Sequence, residues 1–152
     1  MKLSDLFSNY DTVRKEMRAA VVGLTQEQLD WRTGLHPWSV ADILRHIVET
    51  EAWWIECVAL EQDWCDGDDD PFGETHTPEQ ILEVLDKYFE VTREWLESQT
   101  SDDWDETFYL IKDVGEKVSK RWLSWHVVEH QARHRGQLFM LMHMQGLEVP
   151  HV

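Results

Sequence analysis

Apolar positions recur at helical spacing through most of this chain. Over residues 3–22, LSDLFSNYDTVRKEMRAAVV, the series Leu3, Leu6 or Phe7, Tyr10, Val13 or Arg14, Met17 and Val21 predicts an amphipathic first helix ended by Gly23. Thr25-Gln26-Glu27-Gln28 has the form of a capping box and opens a short helical turn through Leu29. The next stretch, WRTGLHPWS, contains Gly34 and Pro37 and reads as loop. A second helix starts at Ser39, which can cap it while Asp42 supplies an acid to the first turn. Its stripe is Val40, Ile43, Leu44, Ile47, Ala52, Trp54, Ile55 and Val58.

Thr77-Pro78-Glu79-Gln80 is the start of a third helix running to Ser98, with Ile81, Leu82, Leu85, Tyr88, Phe89, Thr92 and Trp95 on its buried side. TSDDWDE reads as a turn, and residues 108–111 and 116–118 form a short hairpin or an irregular crossover around Val114-Gly115. The last helix, residues 119–146, is free of proline and stops at a glycine. This order predicts an all-α fold: one antiparallel four-helix bundle over residues 1–152, with a long crossover before the last helix.

Composition narrows the partners. A formal charge of −16 argues against nucleic acid and against an anionic membrane surface. No apolar run approaches the roughly 20 residues that span a bilayer, and the N-terminus turns polar too early for a signal peptide. A soluble, cytoplasmic protein is expected. Cys57 and Cys65 form no CxxC pair or disulfide framework and are expected as free thiols. Most of the nine tryptophans are expected in the core or between helices. Asp66, Asp68 and Asp70 alternate like calcium ligands, but Pro71 and Thr77 replace the glycine and glutamate of an EF-hand loop, leaving a solvated acidic loop as the reading.

The candidate chemistry lies on the last helix. His126, His130 and His134 recur at four-residue steps, which stacks them on one face. Cβ atoms at that spacing are about 5–6 Å apart, close enough for two imidazoles to share an ion. The nearby Gly136, inside a helix, suggests that something approaches the backbone there. A third ligand must come from elsewhere. His46, between Ile43 and Ile47, faces inward on a helix that a bundle places alongside. Histidines satisfied within a wet bundle would give the same sequence.

Two blocks carry a family resemblance: Trp38 to Ile47 (WSVADILRHI) and His126 to Gln137 (HVVEHQARHRGQ). With the length and helix order, they make the chain similar to the DinB family of metal-dependent four-helix bundles. The resemblance implies an up-down-down-up bundle, often a homodimer, with His46, His130 and His134 as the metal triad. It implies nickel, zinc or iron as the divalent metal ion, and a low-molecular-weight thiol such as bacillithiol or mycothiol as co-substrate. His126 is then a packing residue or a supporting one, and His143 faces away. Glu49 and Gln137 are candidates to orient an imidazole, with Arg135 and Glu129 flanking.

Three neutral imidazoles leave a coordination position open, where the pKa of water or a thiol falls toward neutrality. The expected activity is thiol S-transfer to, or hydrolysis of, a small electrophilic substrate, although no general acid or base is identifiable. The alternative is a non-enzymatic metal- or small-ligand-binding stress-response protein.

Overall fold

The computed structural model describes residues 1–62 and 77–150. Its elements are α1 (Leu3–Leu6), α2 (Asn9–Val21), α3 (Gln26–Asp30), α4 (Val40–Ala52), a π-helical segment (Trp53–Ala59), α5 (Pro78–Ser98), β1 (Phe108–Ile111), β2 (Glu116–Ser119) and α6 (Lys120–Met144). No helix among the described residues is long and apolar enough to cross a membrane.

Local chemistry places most of these boundaries. Full capping boxes open α3 (Thr25 with Gln28), α4 (Ser39 with Asp42) and α5 (Thr77 with Gln80). Ser119 caps α6, accepting from the Trp122 N–H at 3.2 Å. Two boundaries differ from the periodic pattern. The first helix breaks at Phe7 and Ser8 because its N-terminal turn is held elsewhere: Leu3 N–H donates to Gln99 at 3.0 Å, and Lys2 pairs with Thr100. The second helix leaves α geometry at Trp53 and widens into a π segment, in which Leu60 N–H donates five residues back to Ile55 at 2.9 Å.

Side-chain pairings fix the topology. Tyr10 meets Phe89 while Arg18 meets Asp86, so α2 and α5 run in opposite directions. Phe7 meets Trp125 while Glu16 meets Arg135, so α2 and α6 run the same way. His46 meets His130 while Trp54 meets His126, so α4 opposes α6. The result is the up-down-down-up bundle, with α4 and α5 parallel. They are joined through residues 61–77, most of which, with Cys65, the Asp66–Asp68–Asp70 alternation and His76, lie outside the described residues. Before α6 the hairpin forms, Phe108 pairing with Ser119 and Ile111 with Glu116, and Gly115 (φ +71°) supplies the left-handed turn residue.

One expectation is corrected. Cys57 is disulfide-bonded, and no free cysteine occurs among the described residues. Neither a framework nor CxxC spacing marks this bridge in the sequence. The tryptophans are mostly in or against the core as expected: among the described residues Trp54 and Trp95 are buried and Trp38, Trp53 and Trp104 pack against the apolar clusters, while Trp122 and Trp125 are 44% and 60% exposed.

The core is two apolar clusters with a polar layer at their junction. Met17, Ile43, Leu44, Ile47, Leu85 and Leu138 belong to one, and Leu3, Phe7, Ile55, Leu96, Leu123 and Val127 to the other. At the junction each long helix contributes a buried polar residue: Arg14, Glu51, Thr92 and Gln131. Arg14 ion-pairs with Glu51, which also accepts from Thr92 at 3.0 Å and Tyr10 at 3.3 Å. Burial pushes the Glu51 carboxyl up, opposed by the adjacent Arg14 charge and these donors.

Breaking a buried pair from one side strands the other charge. Arg14→Met should therefore cost about 3–5 kcal/mol in denaturant unfolding. Adding Glu51→Gln to that variant should recover about 1 kcal/mol or more, because the stranded charge is gone while the side chain can still accept. A double variant no better than the single would mean the charges are not coupled.

Candidate functional site

The antiparallel crossing of α4 and α6 brings together the three histidines named from the sequence. His46 is half-buried on α4, and His130 and His134 are buried on α6. One nitrogen from each lies within 4.8 Å of the others. Nε2 of His130 is 3.1 Å from Nε2 of His46. The ring centroids are 4.3 to 4.9 Å apart. Among the described residues, this is the cluster able to hold a metal ion.

The electrostatics favour free bases. Burial lowers the pKa of His46 and of His134, and in His134 the bond to Gln137 opposes the fall. His130 is pushed down to about 3, first by burial and then by the neighbouring imidazoles. Gln137 Oε1 lies 2.6 Å from His134 Nδ1. An amide oxygen only accepts, so Nδ1 carries the proton and Nε2 keeps its lone pair. Gln137 thus orients an imidazole as the sequence suggested.

Three uncharged imidazoles fit a borderline divalent ion such as zinc or nickel. Metal–nitrogen bonds of about 2.0–2.1 Å set neighbouring ligand atoms of a tetrahedral site about 3.3 Å apart. The 3.1 Å between His46 and His130 is near that spacing already.

The remaining candidates are placed as follows. His126 is outside the cluster; its ring is 5.7 Å from that of His130 and stacks on Trp122 at 4.6 Å. Glu49 pairs with Arg45 at 3.4 Å, Glu129 with Arg133 at 2.5 Å, and Arg135 with Glu16. His143 is exposed, and His36 bonds the Trp38 backbone N–H at 3.2 Å. His151 is outside the described residues. The sequence reading gave no role to Trp38, whose ring lies 4.9 Å from His46 and 6.2 Å from His134. Its position one residue before the α4 cap was the available signal. The expectation at Gly136 is corrected: among the described residues a Cβ there would meet nothing within 4 Å.

Fold and cluster together define a helical-bundle protein with an internal three-histidine site. The family model for the DinB family matches residues 1–152, and the chain belongs to that family. Among solved structures it resembles a DinB-like protein from Bacillus cereus ATCC 10987, at 21% identity and TM-score 0.74, over 95% of this chain and 93% of that one. A DinB-like protein from Bacillus subtilis, YjoA, matches at 19% identity and TM-score 0.74, over 97% and 96%. YfiT from Bacillus subtilis, described as a probable metal-dependent hydrolase with an unusual four-helix bundle topology, matches at 17% identity and TM-score 0.67, over 96% and 89%. At these identities the likeness shows the fold. No curated protein matches.

Two measurements probe this geometry. With all three folded-state values depressed, the unfolded chain takes up protons below about pH 6.5 while the folded metal-free chain does not, so stability falls with pH from there. Between pH 7.5 and 5, His130 alone should cost about 2 kcal/mol, read as the difference in urea unfolding between the metal-free protein and His130→Gln. A difference constant across that interval would mean the ring is not buried as a free base. Gly136→Ala should raise stability by about 0.5–1 kcal/mol, because the side chain enters open space on a helix; a loss would expose a contact.

Proposed function

We propose that the chain is a divalent-metal-dependent enzyme acting on small electrophilic molecules, with the ion held by His46, His130 and His134. Hydrolysis, or transfer of a low-molecular-weight thiol of the bacillithiol type, is the reaction class. The observation that carries this reading is the convergence of three uncharged imidazoles within 4.8 Å inside a bundle. The description of YfiT as a probable metal-dependent hydrolase supports it by analogy of fold. The thiol arm rests on the family resemblance alone.

Nickel, zinc or iron would supply Lewis-acid polarisation and lower the pKa of water or a thiol at an open position. The protein's own part is to bind and orient. Burial keeps the three imidazoles unprotonated at neutral pH, so no proton has to leave before an ion enters. Gln137 holds the Nδ1 proton of His134 and so aims its Nε2. Trp38 lies against His46 and His134.

Metal-free protein titrated with zinc, nickel and iron(II) should take up one equivalent. His130→Ala should weaken binding at least about 100-fold while helix content is retained, and Gln137→Ala about 10–100-fold. Uptake unaffected by His130→Ala would remove the site. Loaded protein is then offered an activated ester in water, and a small electrophile with bacillithiol, glutathione or cysteine. Metal uptake without turnover of any of these would favour a binding protein over an enzyme.

A further inference from the structure

His126 is the histidine of the α6 series that the three-nitrogen cluster leaves out. We propose that it forms, with Trp122 and Trp54, an aromatic wall that receives a planar ring of the substrate, so that the site prefers molecules carrying an aromatic group beside the reacting bond. This inference rests on the metal-site reading above.

The wall is continuous with the triad. Trp122, His126, His130 and His134 follow one another at four-residue steps, so one face of α6 passes from tryptophan through a non-cluster histidine into the cluster. The Trp122 and His126 rings are nearly parallel, 8° apart at 4.6 Å. Trp54, from the π segment, meets Trp122 edge-on at 5.1 Å and His126 edge-on at 5.3 Å. These contacts join the π segment to α6. His126 lies 5.7 Å from His130, centroid to centroid, so a ring held against the wall would lie beside the cluster.

Exposure and charge point to the same occupant. Trp54 is 9% exposed and backs the wall, whereas Trp122 is 44% exposed and leaves part of its ring open. Open aromatic surface beside a polar cluster is where ligand contact replaces water most favourably. Beside His126 on α6, Glu129 is paired with Arg133. Ring edges and faces favour offset-stacked or edge-to-face neighbours, which a flat aromatic group supplies.

Hydroxamates test this directly, because they share one metal-chelating head and differ in the group attached. On the zinc-loaded protein, benzohydroxamate should bind about tenfold or more tighter than acetohydroxamate, with cyclohexanecarbohydroxamate between them. In Trp122→Ala and in His126→Leu the benzo-to-aceto ratio should fall to within about threefold, with zinc affinity unchanged. Equal affinities in the unaltered protein, or a ratio that survives both substitutions, would overturn the wall. A large loss of zinc affinity in His126→Leu would overturn it too, making His126 a ligand. Should the protein take up no ion, the metal reading fails first and the wall falls with it. Should zinc bind while the hydroxamates do not differ, the wall alone fails. Trp122 is 44% exposed, so its replacement leaves the core intact, and circular dichroism checks that both variants are folded.

Discussion

Two neutral imidazoles with nitrogens 3.1 Å apart either share a tautomeric proton, one ring donating its Nε2–H to the other, or present both lone pairs to a common cation. Protonating either ring beyond its neutral state would add a charge. Inside the bundle burial penalises that charge, most strongly at His130, whose pKa is held near 3. Packing therefore keeps the rings neutral and close together. A divalent ion supplies charge through several ligands at once and needs the rings neutral, which is the state burial already selects.

That geometry depends on register. One helical turn is about 5.4 Å, so a slip of α4 by a single turn would carry His46 out of reach of its partners. Glu51 is five residues along the same helix and is bound to Arg14 on α2 and to Thr92 on α5. Sliding α4 would strand both charges in an apolar interior, a large penalty for a small displacement. A buried ion pair adds little net stability, but its directionality can select one alignment among several that bury similar apolar area. Here the alignment it selects is the one that closes the histidine cluster.

What the sequence disclosed follows the range of the interactions involved. Capping boxes at Thr25, Ser39 and Thr77 are written in four adjacent residues and were legible. So was the His130–His134 pair, because the helix repeat alone aligns it, and so was Gln137, three residues on. His46 could be matched to that pair only by supposing a bundle and by resemblance. On the sequence Arg14 is only an alternative to Val13 on the apolar stripe and Glu51 carries no signal; burying a charge is intelligible only when its partner, 37 residues away, is seen. The break at Phe7 was hidden for the same reason, since it follows from backbone pairing of Lys2 and Leu3 with residues 99 and 100. Gly136 misled in the opposite direction: glycine permits a close approach without requiring one.

The π segment is the least legible element and has the widest structural consequence. Hydrogen bonds reaching five residues back make each turn wider, so each residue advances by less than the roughly 100° of an α-helix. Trp54 is eight residues past His46, which in an uninterrupted α-helix places it about 80° around the axis. Starting the wider turn at Trp53 rotates Trp54 back toward the face of His46, where its ring meets His126 and Trp122 on α6. The poorer backbone geometry is supported from within, because Ile55 and Val58 on the same segment remain buried in the second apolar cluster. A local irregularity thus turns two side chains of one continuous helix toward α6: the imidazole of the cluster, and the Trp54 ring that meets His126 and Trp122.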